Sequence, residues 1–153
     1  MKIIVILNNI RSSENVGSIF RTADAAGVKK IYLTGYTPAL VDRFGKIRPE
    51  IHKTALCAET TVEWQKYKNI GLLIANLKKQ KIRIAAAEQA ANSIDYKKFR
   101  PRYPVALIFG NEVRGLSKQI LKKCDSVIEI PMHGKKESLN VSVSAGIILF
   151  SLK

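Results

Sequence analysis

An α/β fold, with a mostly parallel sheet and helices on both faces, is predicted by three features of the sequence. Short β-branched runs alternate with amphipathic segments, so that strand, helix and strand follow one another repeatedly. The clearest strand-like runs are apolar throughout, as strands buried on both faces are. Polar and glycine residues stand directly after those runs or at the opening of helix-like ones, the position at which open α/β sheets bind ligands.

Each element has a local reason. Residues 2–7 read as a buried strand, after which Val16, Ile19, Phe20 and Ala23 recur at helical spacing, with Asn15 as N-cap and Gly27 as C-cap. Residues 30–33 are the next strand, and 35–54 a polar, basic loop. Helical patterns are expected near 62–66 and over 70–81, then a strand over 82–87. Residues 104–109 are the clearest buried strand, 117–123 a short capped helix, 126–130 another strand and 140–153 a closing helix. Without repeats, low-complexity segments or an internal linker, residues 1–153 are expected to be a single domain.

A chain of 153 residues can bury a sizeable core without staples. Its 26 Lys and Arg against 12 Asp and Glu give a formal charge of +14, which puts a polyanion, and nucleic acid above all, first among partners. No apolar run reaches the roughly 18 to 20 residues that span a bilayer, and there is no signal-peptide pattern, so a cytoplasmic location is expected. Cys57 and Cys124 are too few for a disulfide framework, and with His52 and His133 they show no metal-ligand spacing; no metal is expected.

Three short segments carry the chemistry: Asn15-Val16-Gly17 with Arg21, Gly110-Asn111-Glu112-Val113-Arg114-Gly115, and Ile130-Pro131-Met132 followed by Ser138-Leu139-Asn140-Val141-Ser142. The second has the glycine spacing of a phosphate-binding P-loop, but Leu116 stands where that loop needs its lysine, which argues against a nucleotide triphosphatase. No strand leads into a G-x-G-x-x-G fingerprint either, which weakens a nicotinamide or flavin reading. A tight turn after a buried strand is left, with Gly110 letting a ligand approach the backbone and Glu112 as its one acid. Taken alone, the first segment is a capped helix with a solvated arginine, and Ser138 or Asn140 could simply open the last helix.

Together, and in this order, the segments resemble the signature motifs of the SpoU (TrmH-like) family of 2′-O-ribose RNA methyltransferases, within the SPOUT class of knotted enzymes. The resemblance runs from Asn8 to Phe150. Pattern alone predicts a doubly wound sheet with ordinary connections; the resemblance implies instead a deep C-terminal trefoil knot whose loops are the Gly110 and Ser138 segments. It implies S-adenosylmethionine as cofactor, with Gly110, Ile130, Met132, Ser138, Leu139 and Ala86 at positions that line its pocket. Arg21, Asn15, Glu112, Ser138 and Asn140 match the catalytic centre, the arginine acting at the ribose 2′-hydroxyl that receives the methyl group. Such a hydroxyl must lose its proton and have the developing charge on oxygen stabilised. Arg21 either takes that proton or stays cationic and stabilises the oxyanion, since the high pKa of arginine makes it an awkward base.

Basic residues cluster outside the motifs. Arg43, Lys46, Arg48 and Lys53 lie in the long loop, Lys97, Lys98, Arg100 and Arg102 before the central strand, and Lys135 and Lys136 beside the third motif. The first four and the last two are the candidates for RNA contact, with Tyr36, Phe44, Tyr96, Phe99 and Tyr103 available to stack on unpaired bases. The resemblance further implies a homodimer and tRNA or rRNA as substrate; in a departure from larger members of that family, no separate N-terminal RNA-binding domain is expected, so that recognition falls to the domain surface, a dimer groove or an adaptor protein. The alternative function is a noncatalytic RNA-binding module that keeps the knotted fold; Arg21, Glu112, Ser138 and Asn140 argue against it.

Overall fold

The structure, a computed structural model, describes residues 2–101 and 104–152; Arg102, Tyr103 and the end of the expected closing helix at Lys153 lie outside the described residues. The chain opens with β1 (Ile3–Asn8), α1 (Ser13–Ala25) and β2 (Lys30–Thr34). Two short helices, α2 (Pro49–Ala55) and α3 (Ala58–Thr61), lead to β3 (Glu63–Tyr67), α4 (Ile70–Lys79) and β4 (Arg83–Ala87). Then come β5 (Ile94–Asp95), β6 (Val105–Phe109), α5 (Lys118–Lys123), β7 (Ser126–Glu129) and α6 (Val141–Ser151). Among the described residues the strands form one sheet in the order β3-β2-β1-β6-β4-β7-β5. Every strand pair in it is parallel.

Side chains alternate across the sheet, and this divides the core in two. Ile3, Val5 and Leu7 of β1, with Val105, Leu107 and Phe109 of β6, face a layer made by α1, α2 and α6. Ile4, Ile6, Ala106 and Ile108 face the other side, which Leu73, Ile74 and Leu77 of α4 cover, with Ile120 and Leu121 of α5 partly buried beside them. Phe20 and Phe109 are the largest fully buried side chains, each contributing about 2 to 3 kcal/mol by leaving water. The helices on α1's side therefore hold the first motif against the carboxyl ends of β1 and β6.

The structure differs from the sequence expectation in several places, among them the short helix α3 at Ala58–Thr61, where no element is expected. Of residues 62–66, expected as helix, Val62 closes α3 and the rest lie in the edge strand β3, where Trp64 packs on one core cluster and Tyr67, of opposite parity, on the other. Aromatic residues on both faces suit a strand, and the pairing Ile31 to Trp64 fixes its register. The loop 35–54 contains most of α2, whose Pro49 presets the helical φ and whose Ile51 and Ala55 are buried. A two-residue strand, β5, and a 3₁₀ turn at Tyr96–Lys98 occupy a stretch in which no element was expected. Finally, Ser12 and not Asn15 caps α1, its side chain accepting from the Asn15 N–H, while Gly27 follows the C-cap with φ 63 as expected. This shift of the cap frees the Asn15 amide for other contacts.

Candidate active site

The loop after β6 is rigid for reasons visible in its own residues. The Asn111 side chain accepts from the N–H groups of Val113 and Arg114 at 2.9 and 2.7 Å, and its carbonyl accepts from Gly115 N–H at 2.9 Å. Gly115 has φ 63, and a Cβ there would run into the Glu88 carboxylate. Glu88 itself accepts from the Leu116 N–H at 2.9 Å, tying this loop to the end of β4. Gly110 serves chiefly to let the loop close on itself: a Cβ would stand 2.7 Å from Leu116 Cγ and 2.8 Å from the Gly115 carbonyl carbon. Glycine was expected there for ligand approach; tight packing beneath the turn already requires it.

Glu112 joins the first motif to the second. Its carboxylate accepts from Arg11 N–H at 3.0 Å, from Ser12 N–H at 3.1 Å and from the Asn15 amide at 3.1 Å. Partial burial pushes the carboxyl up, but the hydrogen bonds from Arg11, Asn15, its own N–H and Ser12 outweigh this and hold it below its ordinary value. The Asn15 amide oxygen in turn accepts from the Asn140 amide at 3.1 Å, and Asn140 caps α6 by accepting from Ser142 N–H at 2.8 Å. Capping and motif contact therefore coexist in Asn140. Segments about 100 residues apart meet in one polar chain, Glu112 to Asn15 to Asn140.

Beside this chain lies a cavity of about 320 Å³ at the carboxyl ends of β4, β6 and β7, the general place for a ligand in such a sheet. Gly110, Ile130, Met132, Ser138, Leu139 and Glu112 all line it. Ala86 does not: its side chain belongs to the core cluster on the opposite face, and the neighbouring Ala87 takes the lining position. Apolar surface comes from Phe109, Ile128, Ile130, Leu139 and Ile148. Glu88, Glu112, Glu129 and Glu137 also line it, so 4 of the chain's 12 acids gather in one hollow of a strongly basic protein. Such a cavity suits an apolar ligand bearing positive charge and repels phosphate.

Arg21 stands elsewhere. Six residues beyond Asn15 it points about 120° away round the helix and sits about 9 Å along it. It lines a separate surface hollow with Ser18, Thr22, Ala25, Thr54 and Phe150. Of the basic candidates, Arg43 lies exposed over the ring of Phe44 at 4.8 Å, in a small hairpin closed by the Val41 and Ile47 bridge that also carries Lys46. Arg48 is half-buried and donates to the Ala39 carbonyl at 3.0 Å, which makes it a brace of that hairpin. Lys53 is exposed in the last turn of α2, and Lys135 and Lys136 are exposed in the loop that passes the cavity. The sequence reading missed Glu88, and it quoted Asn111 within the second motif without giving it a role. An acid directly after the Ala85-Ala86-Ala87 run and an asparagine directly after a strand-ending glycine were the available signals.

The family model for the SpoU rRNA methylase family matches residues 2–150. The chain belongs to the SpoU rRNA methylase family. Among the SpoU-like relatives, the tRNA (guanosine(18)-2′-O)-methyltransferase of Escherichia coli K12 is 30% identical over 146 residues, which is 95% of this chain and 60% of that protein. The A. aeolicus TrmH/SpoU tRNA modifying enzyme has a TM-score of 0.85 at 30% identity, covering 99% of this chain and 73% of that one. An AdoMet-bound rRNA methyltransferase from Sinorhizobium meliloti has a TM-score of 0.83 at 28% identity, covering 99% and 55%. The chain spans somewhat over half the length of the curated SpoU relatives it matches, 57% and 60% for two of them.

Proposed function

We propose that the protein transfers the methyl group of S-adenosylmethionine to a ribose 2′-hydroxyl of tRNA or rRNA. The observation that carries this reading is the Glu112 to Asn15 to Asn140 chain at the rim of an acidic, partly apolar cavity. The residues present fit the cofactor. An adenosyl group matches the apolar lining and the main-chain groups at strand ends, and the carboxylates match its positive charge. Gly110, Ile130, Met132, Ser138 and Leu139, with Ala87 in place of Ala86, are the residues we assign to hold it. When bound, it supplies an electrophilic methyl on a sulfonium sulfur.

The chain's own groups do the rest. Glu112, kept ionised by its donors, fixes the Asn15 amide and the entry to α1. Asn15, Asn140 and Ser138 present polar groups at the rim, where we place the ribose. Arg21 acts on the 2′-hydroxyl, either by taking its proton or as a cation beside the developing oxyanion. Since Arg21 lies outside its own chain's cavity, we place it at the site of a second copy, and the homodimer is part of the proposal. In support, α6 carries no charged side chain, Val143 and Phe150 on it are about half exposed, and Phe150 lies beside Arg21. The loops after β6 and β7 are the ones we assign to a C-terminal trefoil knot; the insertion of β4 between β6 and β7 in the sheet, and the bond from the Gln89 amide to the Glu137 carbonyl at 2.7 Å, support such a crossing. We place the activity in the cytoplasm; among the described residues no helix is long and apolar enough to cross a membrane. Arg43, Lys46, Lys53, Lys135 and Lys136 are assigned to RNA phosphates, Arg48 to holding the loop that carries two of them.

Transfer of radiolabelled methyl from S-adenosylmethionine to unmodified tRNA and rRNA, followed by nucleoside analysis, tests the reading. A labelled 2′-O-methyl nucleoside is expected, and its base names the target. Cofactor binding without transfer to either pool would indicate a required adaptor or another RNA. Label on a base, or no cofactor binding, would overturn the reading.

A further inference from the structure

The loops that follow β1, β2 and β6 enclose a second, more open hollow of about 830 Å³, which shares Asn111, Glu112 and Val113 with the acidic cavity. Its remaining walls are Arg11, Ser12, Tyr36 and Arg114. Tyr36 is 59% exposed, yet it is held from several sides. Its N–H donates to Asn9 Oδ1 at 3.1 Å, and its hydroxyl accepts from the Asn111 amide at 2.9 Å. The same amide donates to the Asn9 carbonyl at 3.0 Å, and the Lys66 ammonium donates to the carbonyls of Gly35 and Thr37 on either side of the tyrosine. Asn9 and Gly35 both adopt left-handed backbone, φ 56 and φ 60, and a Cβ on Gly35 would overlap the Asn9 side chain. The ring is thus orientated in water before anything binds, which lowers the ordering cost of a ligand that stacks on it. Val113, 88% exposed, adds apolar surface to the same hollow.

The charges complete the set. Arg11 and Arg114 engage their backbone N–H groups in the loop, while neither guanidinium has an acid within ion-pair distance among the described residues. Glu112, the hollow's one acid, is already satisfied by three donors. A fixed aromatic face with two free guanidinium groups matches a nucleotide whose base is unstacked, because a base inside a duplex has both faces covered. We propose that this hollow receives an unpaired RNA nucleotide at the mouth of the cofactor cavity, with its base on Tyr36 and its flanking phosphates at Arg11 and Arg114. This rests on the methyl-transfer reading, and it selects single-stranded loops over helical RNA as the substrate.

The test compares binding of a single-stranded RNA dodecamer and of the same sequence annealed as duplex, across a salt series, together with calorimetric binding of S-adenosylmethionine. Tyr36→Ala is expected to weaken the single strand about ten-fold and leave duplex affinity alone, while Tyr36→Phe keeps both. R11Q and R114Q are each expected to lower the salt slope for the single strand by about 0.7. Unchanged cofactor affinity certifies the fold; if Tyr36→Ala loses it, Tyr36→Leu, which keeps bulk without a π-face, replaces it. Equal effects of Tyr36→Ala on both RNAs, or none on either, overturn the proposal. Methyl transfer to unmodified tRNA and rRNA separates the two readings. A wild type that binds the single strand as expected but neither binds S-adenosylmethionine nor transfers methyl sinks the enzyme and keeps the hollow; a wild type that transfers, with KM for RNA unmoved by Tyr36→Ala, sinks the hollow alone.

Discussion

Replacing Glu112 by glutamine should loosen the junction between the first two motifs without removing its volume. One carboxylate oxygen accepts from Ser12 N–H and the Asn15 amide, both at 3.1 Å, and the other from Arg11 N–H at 3.0 Å. Glutamine can keep the first pair only by turning its NH2 toward the Arg11 N–H, so that donor faces donor. Bonds to a charged acceptor contribute about 1.5 to 3 kcal/mol each, and neutral ones about half that. The carboxylate is partly open to water, so the lower end applies, and one lost bond with two weakened ones comes to about 3 kcal/mol. Urea unfolding at pH 7 should show that loss, and the Arg11 and Ser12 amides should exchange about 150-fold faster. Since folding lowers the Glu112 pKa, its contribution is complete above the ordinary value of 4.5 and is lost as pH falls through the folded value. E112Q should remove that part of the acid limb of stability. The part due to Asp125 should remain: burial raises that carboxyl, but the Ile84 N–H and Lys78 bonds bring it below its ordinary value. A stability change under about 0.5 kcal/mol with unaltered amide protection would refute the assignment of Glu112 as the junction.

Gly17→Ala should be more damaging than its size suggests, because a Cβ there overlaps the Thr54 hydroxyl and the Ile51 carbonyl of α2; a loss of about 1 to 3 kcal/mol in urea unfolding is expected, and a neutral result would mean that the two helices can separate freely. Arg21→Ala should abolish methyl transfer while S-adenosylmethionine affinity, read by calorimetry, stays within about two-fold, since Arg21 lies outside the cavity; loss of cofactor binding would give it a structural role. Burial pushes the Cys124 thiol up to about 11, so iodoacetamide at pH 8 should label exposed Cys57 first and Cys124 only slowly. Equal labelling rates by mass spectrometry would contradict the burial of Cys124.

What the sequence determined by itself is what depends on neighbours along the chain. Continuous apolar runs named β1 and β6, the β-branched pair Val127 and Ile128 named β7, helical spacing named the buried face of α1, and Ser117 announced the start of α5 through its bond to Ile120 N–H. The three motifs were legible because side-chain chemistry and order survive in one dimension. Tertiary structure decided the rest. The Ala85-Ala86-Ala87 run is buried on both faces, so nothing in its pattern says which alanine meets the cavity; the pairing of β4 between β6 and β7 puts Ala87 there. Glu63–Tyr67 has no strand-like alternation, and it is a strand because β2 offers it an edge. Asn15 looked like a cap, and only the approach of Glu112 and Asn140 from distant loops makes it the centre of a polar chain. Arg21 shares a helix with Asn15, yet helical rotation sends the two to different surfaces. Local propensity acts within a few residues, whereas register, sheet order and loop closure are set by burial and hydrogen bonding among segments the sequence keeps far apart.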